Sequence, residues 1–363
     1  MEIPCLLLYF DRFPIPSKIQ FEIHIEAKDE ETRKNLRILS LTRNEMIETI
    51  KMHDSQETIK KINEYLRYLN GFIISSKKTV VQTIGPLRFT WNSVFEKDAT
   101  RDYIAYSYKF DLIMCLISLA FAHLNFAQEQ FQKTKEVIPI IETLRLAASI
   151  LDRVVQIDIP CWKTIPKERP LETEVQLLEK MVPYVLATAQ MIAIKKTSEA
   201  NRGKLEKFSQ HSMFVYKTCD EMALALEKSQ SYQEHGSNIY WNFFTIQYIC
   251  YAIITQYFQA KLDKEETKHG IACDRMNYCV ENLLPRIKEF QKTGHLTFYN
   301  EKIELFADQC IEYKESIEKE NSLVYYDKLT KKFQDFPKER TQCVNLGNAF
   351  ELPDPAFENI STK

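Results

Sequence analysis

Apolar residues recur at every third or fourth position over most of the chain, which is the spacing of amphipathic α-helices. The pattern starts near residue 29 and runs through 30–65. It becomes almost continuously apolar after residue 105. Later stripes of the same period predict helices at 130–159, 175–196, 204–228, 239–262, 266–293 and 296–320. Pro183 falls inside one of them and should kink it, because proline removes a helical hydrogen bond at a cost of ~3 kcal/mol.

Alternation of apolar and polar residues is confined to the N-terminal part of the chain. It predicts short strands at 5–10 and 19–26, and a third strand within 80–91. Short turns between long helices favour TPR-like helix pairs stacked into an elongated, irregular α-solenoid. We therefore predict a mostly α-helical single domain over 1–363. Its strands lie within 1–28 and 80–91, its helices within 29–79 and 105–320, and an extended return segment at 321–363.

The amino-acid composition argues against several classes of protein. A hydrophobic content of 45% is enough for a sizeable core, and only 7 glycines argue against an α/β enzyme with phosphate-binding loops. The net charge of −2 gives no reason to expect nucleic acid as a partner. The 9 cysteines are scattered, with no Cys-x-x-Cys pair, which indicates reduced thiols and a cytoplasmic protein.

No pattern of catalytic or ligand-binding residues is evident in the sequence. It has no Walker loop, no G-x-G-x-x-G, no His-Glu-x-x-His and no G-x-S-x-G. The 7 histidines are dispersed, so we expect no metal and no cofactor. Cys115 lies in an apolar helix, where burial should raise its pKa and make it inert. Catalytic residues that meet only in space leave an all-helical enzyme as one alternative.

Four landmarks, in order along the chain, resemble one known family. The first is Phe89-Thr90-Trp91, followed by a helix with Phe110-Asp111, Leu116 and Leu119-Ala120. The others are the run 257–261 with 266–270, the run 321–327, and the proline-marked segments at 336–337 and 351–353. Together they are similar to the Bro-type domain, the helical module of Alix, Brox, HD-PTP and yeast Bro-like ESCRT adaptors.

This resemblance implies a non-catalytic adaptor in endosomal sorting or membrane remodelling. Its partner is expected to be the C-terminal amphipathic helix of an ESCRT-III subunit, bound on a concave apolar patch. We expect a cytoplasmic monomer recruited peripherally to endosomal membranes, without the V-shaped arms and proline-rich tail of Alix-like proteins. The positions that match the family's patch are Ala193, Ile194, Lys204, Leu205, Phe208, Cys343 and Val344. Leu205 and Phe208 are expected to lie one turn apart on the exposed face.

Two further features have alternative interpretations. The first is a basic cluster beside the patch, which is either a solvated helix end or a contact for acidic residues of the incoming helix or, weakly, for anionic lipid. Its members are Lys195, Lys196, Arg202, Lys204 and Lys207. The second is the loop 96–102, which is charged and free of glycine, so we expect no hydrophobic loop insertion there. A TPR-like peptide adaptor unrelated to ESCRT is the alternative function among binding modules.

Overall fold

A computed structural model describes residues 2–78, 82–134, 136–200, 202–292, 299–332 and 335–362, and it is mostly helical. The chain divides into two compact units. Unit 1 comprises Met1–Leu7, Pro183–Ser229 and Ser237–Asn345, and unit 2 comprises Leu8–Val182, Gln230–Gly236 and Leu346–Lys363. The single domain over 1–363 stays a prediction.

Most helices follow the predicted stripes. The helix predicted at 130–159, however, begins only at Ile138, because residues 130–133 end the preceding helix. The helix predicted at 266–293 is divided by a wide turn at Cys279–Leu283. In chain order they are α1 (Phe21–His24), α2 (Glu30–Lys51), α3 (Ser55–Lys78), α4 (Tyr108–Lys133), α5 (Ile138–Arg153), α6 (Val175–Glu199), α7 (Leu205–Lys228), α8 (Gln230–His235), α9 (Asn238–Glu265), α10 (His269–Tyr278), α11 (Leu284–Gln291) and α12 (Asn300–Glu320). Single wide turns with π geometry extend α5, α10 and α12, at Val154–Asp158, Cys279–Leu283 and Asn321–Tyr325. A short 3₁₀ turn, Leu171–Thr173, precedes α6.

Side-chain caps and turn conformations decide where several helices begin and end. Asp29 starts α2 by accepting a 2.6 Å hydrogen bond from the Thr32 amide, and Ser107 caps α4 in the same way. The single stripe predicted over 30–65 is divided into α2 and α3, because His53 adopts a left-handed backbone conformation with φ of 57°. α6 continues through Pro183, and the predicted kink there stays a prediction.

α4 is the central helix of unit 2 and packs against α3 and α5. Both α4 and α6 are long and apolar enough to cross a membrane. However, 94% and 78% of their apolar windows are buried within the fold, which is typical of the core helices of a folded domain.

The predicted small β-sheet exists, but its strands differ from the prediction. β1 (Phe89–Trp91) pairs antiparallel with β2 (Tyr103–Ala105), so that Phe89 faces Ala105. The strand predicted at 19–26 is wrong, since residues 21–24 form the single turn α1. Contacts with α2 hold Phe21 in place instead. Its amide donates to the hydroxyl of Ser40 on α2 (2.8 Å), and its side chain is fully buried.

The strand predicted at 5–10 is also wrong. Within unit 2, the amide and carbonyl of Phe10 both pair with the side chain of Asn125, each at 2.8 Å. In unit 1, the carbonyl of Leu7 accepts a hydrogen bond from the Tyr299 hydroxyl. Side chains of Asn125 and Tyr299 thus satisfy backbone groups that a neighbouring strand would otherwise use. Part of the third predicted strand, residues 80–81, lies outside the described residues.

Candidate functional site

The end of α6, the start of α7 and the segment 341–344 lie together in unit 1. The buried side chain of Gln190 connects all three. Its amide nitrogen donates to the carbonyls of His211 (2.9 Å) and Thr341 (3.0 Å), and its oxygen accepts from the amide of Cys343 (2.7 Å). The Thr341 amide in turn donates to the carbonyl of Gln210 on α7 (3.2 Å). The elements that carry the predicted patch are therefore neighbours in space.

The predicted patch residues are not all available to a partner. Ile194 and Val344 are buried, with 1% and 8% exposure, so a partner cannot contact them directly. Ala193 and Leu205 are partly exposed, and Lys204 and Cys343 are exposed. These four can contact a partner directly.

The expectation that Phe208 is exposed in the free protein is wrong. Its side chain is only 7% exposed, because its ring stacks on that of Phe258 from α9, with 5.2 Å between centroids. On another side it meets Gly203, whose φ of +124° disfavours any other residue. A Cβ atom added at Gly203 would lie 2.9 Å from the Phe208 ring. Phe208 is therefore a packed residue at the base of a groove.

This groove encloses about 980 Å³ between the N-terminal end of α7 and the C-terminal half of α9. We call it the α7–α9 groove. Its apolar lining consists of Ile3, Leu205, Phe208, Tyr257, Phe258 and Tyr313. Tyr257 packs edge-on against Tyr313 of α12, with 4.7 Å between ring centroids. Leu205 is the partly exposed aliphatic side chain of α7 in this lining, which makes it the accessible apolar contact there.

Charged residues surround the groove. Lys261 lies over the ring of Tyr257, 4.9 Å from its centroid, and Lys264 pairs with Glu320 at 2.5 Å. Lys195, a member of the predicted basic cluster, pairs with Glu2 at 2.6 Å and with Glu199 at 3.7 Å. Lys195 is therefore neutralised within unit 1. The other members of the cluster, Lys196, Arg202, Lys204 and Lys207, are exposed.

The sequence does not predict that residues of α9 and α12 line this groove. Tyr257, Phe258 and Tyr313 belong to ordinary helical stripes, and nothing in the sequence distinguishes them from core residues. A signal was present only in the aromatic richness of the chain, with 18 Tyr and 22 Phe.

The groove is lined by apolar, aromatic and charged side chains. Although Cys343 as a residue is exposed, the protein atoms around its thiol limit the solvation of the thiolate and raise the pKa to about 11, so the thiol is protonated at neutral pH. Burial likewise raises the pKa of Cys115 well above its usual value, as predicted. Among the described residues, no group of three or more His, Cys, Asp or Glu is placed to hold a metal ion.

Comparison with known proteins agrees with the landmarks and with the fold. The sequence matches the BRO1-like domain over residues 16–349. No curated protein sequence is detectably similar to it. Among solved structures, the ALIX BRO1 CHMP4C complex has a TM-score of 0.73 at 13% identity, covering 97% of this chain and 98% of that one.

Two further structures share the fold. One, solved to explain endosomal targeting by the Bro1 domain, has a TM-score of 0.71 at 14% identity and covers 96% of this chain and 93% of its own. The other is ALIX in complex with the SIVmac239 PYKEVTEDL late domain, with a TM-score of 0.73 at 13% identity. That match covers 98% of this chain and 50% of the ALIX chain. Because the family match extends over residues 16–349, nearly the whole chain, this protein belongs to the BRO1-like domain family.

Proposed function

We propose that this protein is a non-catalytic adaptor that binds the C-terminal amphipathic helix of an ESCRT-III subunit. The α7–α9 groove carries the proposal, because it combines an aromatic base with the accessible side chain of Leu205. The BRO1 domain of ALIX, which has the same fold, is known in complex with CHMP4C, an ESCRT-III subunit. That likeness supports the class of partner.

An amphipathic helix suits this groove for physical reasons. A helix presents apolar residues at i, i+3, i+4 and i+7 along one stripe, and such a stripe is buried when it lies in an apolar groove. Phe208, Phe258 and Tyr257 are already packed against each other, so binding orders few side chains. We infer that Leu205 is the main apolar contact and that Phe208 shapes the base of the groove.

In this proposal the remaining patch residues have three different roles: direct contact, structural support and charge pairing. Ala193 and Cys343 border the incoming helix, while Ile194 and Val344 hold α6 and the segment 341–344 in place. Lys204 pairs with acidic residues of the incoming helix, as do the exposed cations beside it. Such rim pairs affect the association rate and its salt dependence more than the final affinity.

Substitution of Leu205 by Asp tests the groove directly. Burying a leucine is worth about 1.5–3 kcal/mol, and an unpaired carboxylate adds a penalty. L205D should therefore weaken binding of a synthetic ESCRT-III C-terminal helix by at least about tenfold. The melting temperature should be almost unchanged, because Leu205 is partly exposed.

Leu224 provides the matched control. It lies on the same helix, is 40% exposed and does not line the groove. L224D should bind the helix like the wild type. Equal affinities of L205D and wild type would refute the groove as the binding site. Binding of unrelated amphipathic peptides but of no ESCRT-III helix would favour a TPR-like adaptor outside the ESCRT system.

The cellular setting follows from the partner. A cytoplasmic monomer that binds ESCRT-III is recruited peripherally to endosomal membranes, where it takes part in sorting or membrane remodelling. One of the structures with this fold concerns endosomal targeting by the Bro1 domain. A fluorescent fusion of the wild type should co-localise with ESCRT-III on endosomes, and the L205D fusion should be diffuse.

A further inference from the structure

Five consecutive residues that follow α12, Ser322 to Tyr326, are all exposed. We call them the 322–326 turn. Leu323 and Val324 are each 61% exposed, and Tyr326 is 74% exposed. Single exposed apolar residues are normal on a protein surface, whereas a run of adjacent ones indicates an interaction site.

The base of this turn is fixed by hydrogen bonds. The side chain of Asn321, which is buried, donates to the carbonyl of Asp327 (2.9 Å) and accepts from its amide (3.0 Å). The Tyr326 amide donates to the carbonyl of Asn321 (2.6 Å), and Tyr326 adopts a left-handed conformation with φ of 58°. The apolar side chains are thus presented on a preorganised loop.

A stacked ring pair supports one side of the turn. The ring of Tyr325 lies parallel to that of His269 at the start of α10, with 3.4 Å between centroids and 6° between planes. Tyr326 stacks on no ring among the described residues, and the aliphatic side chains of Leu323 and Val324 are each 61% exposed. Three apolar or amphipathic side chains therefore project from a supported base.

The chain segment that contains the turn has more basic than acidic residues. Between residues 319 and 332 the sequence has four lysines and two acidic residues. Both carboxylates are engaged: Glu320 pairs with Lys264 (2.5 Å), and Asp327 accepts from the amide of Gly270 (3.3 Å). Lys319 and Lys328, on either side of the turn, are exposed.

We propose that the 322–326 turn is a membrane-contact site that inserts Leu323, Val324 and Tyr326 into the interfacial region of a bilayer containing anionic phospholipid. Aliphatic side chains enter the acyl boundary, tyrosine suits the headgroup level, and flanking lysines are attracted to anionic headgroups. The excess of lysines along the segment 319–332, with Lys319 and Lys328 exposed on either side of the turn, favours an anionic membrane as the occupant. The site is separate from the α7–α9 groove and does not depend on the function proposed for that groove.

Vesicle co-sedimentation tests this assignment. Wild-type protein should partition onto vesicles of phosphatidylcholine with phosphatidylserine, and less onto vesicles of phosphatidylcholine alone. The double substitution L323D/V324D should weaken partition onto the anionic vesicles by at least about tenfold. Leu305, 49% exposed on α12, gives the matched control, and L305D should partition like the wild type.

A second measurement reports how deeply the 322–326 turn inserts into the bilayer. Trp fluorescence of Val324→Trp should be quenched by brominated phospholipid more than that of the wild type. Leu305→Trp should show no added quenching. L323D/V324D should keep wild-type affinity for the ESCRT-III helix, so failure of the membrane proposal is distinguishable from failure of the proposed function.

Two outcomes would overturn the membrane assignment. One is equal partition of wild type and L323D/V324D, including no partition of either. The other is equal vesicle partition of wild type and L323D/V324D together with a partner protein that binds the wild type but does not bind L323D/V324D. The latter result would assign the turn to a protein partner.

Discussion

The indole nitrogen of Trp91 donates a 2.8 Å hydrogen bond to the carboxylate of Asp111, which is completely buried near the start of α4. The same carboxylate accepts from Arg43 on α2, at 2.8 and 3.2 Å, and from the hydroxyl of Tyr65 on α3, at 2.6 Å. One buried charge therefore links β1, α2 and α3 to α4. The motif that suggested the family, Phe-Thr-Trp followed by Phe-Asp, is part of the core of unit 2.

Removing the charge of Asp111 should destabilise the protein strongly. Asp111→Asn leaves the fully buried Arg43 guanidinium without its counter-charge, and breaking such a pair costs about 3–5 kcal/mol. The free energy of unfolding, measured by urea denaturation, checks this value. Asp102→Asn is the control, because Asp102 is exposed, and it should change stability by less than about 0.5 kcal/mol. A loss below about 1 kcal/mol at Asp111 would contradict the role assigned to the ion pair.

The contribution of Glu172 to the free energy of unfolding should decrease as pH rises from about 4.5 to about 7. Burial raises the pKa of Glu172 from 4.5 to about 7, with a further contribution from the nearby charge of Glu96. Since the folded state binds this proton more tightly than the unfolded state, its contribution is complete below pH 4.5 and is lost as pH approaches 7. The total loss is roughly 3 kcal/mol. The difference in unfolding free energy between the wild type and Glu172→Gln, measured across this pH range, isolates this contribution, because the buried His123, whose pKa is lowered to about 4, changes the stability of both proteins in the opposite direction.

Glu172→Gln should remove the pH-dependent contribution of Glu172 to stability. The amide oxygen can still accept the 2.5 Å hydrogen bond from the Val94 amide, and the side chain no longer ionises. At pH 8 the variant should be more stable than the wild type. The exposed residue Glu179 offers a control, and Glu179→Gln should retain the wild-type pH profile. An unchanged profile for Glu172→Gln would show that another group titrates.

Phe208→Asp should unfold or severely destabilise unit 1. The side chain is 7% exposed and stacked on Phe258, so a carboxylate there loses the packing and buries a charge, at a cost of at least about 3 kcal/mol. Phe208→Leu, which keeps an apolar side chain, should lower the melting temperature far less. A folded Phe208→Asp with a wild-type melting temperature would place this ring on the exposed surface instead.

Gln190→Ala should release the segment 341–344 from α6 and α7. The change leaves the carbonyls of His211 and Thr341 and the amide of Cys343 without their partner, at a cost of about 1–3 kcal/mol. Hydrogen exchange at the Cys343 amide should accelerate. The exposed Gln176 serves as control, since Gln176→Ala should leave exchange in this segment unchanged. Protected exchange at Cys343 in Gln190→Ala would show that the segment is held by other contacts.

Conservative changes in the loop 96–102 should have no effect on partner binding. Thr100 donates through its amide (2.8 Å) and its hydroxyl (2.7 Å) to Asp98, and Thr100→Ser preserves both bonds. Ala99→Ser adds a small polar group on the same charged loop. The double variant should bind the ESCRT-III helix with wild-type affinity and melt within experimental error of the wild type. A clear loss of binding would reveal an interaction through this loop.

The positions of most long helices were determined by the sequence alone, with the exception of the starts and interruptions within 130–159 and 266–293. Helical periodicity is a local property, because residues at i and i+4 lie on one face whatever the rest of the chain does. The stripe at 204–228 and the observed helix Leu205–Lys228 differ by one residue for this reason. Turn chemistry was harder to predict, as the left-handed His53 between α2 and α3 shows.

Tertiary structure alone decided the N-terminal strands and the accessibility of the site. Phe10 forms no strand because its backbone pairs with Asn125, 115 residues away. Phe208 is buried because Phe258 on α9 covers it. Exposure depends on which helix packs against which face, and helical spacing within one segment carries no information about that neighbour. The sequence therefore determined the helices and the family, whereas packing between distant segments decided which side chains a partner can reach.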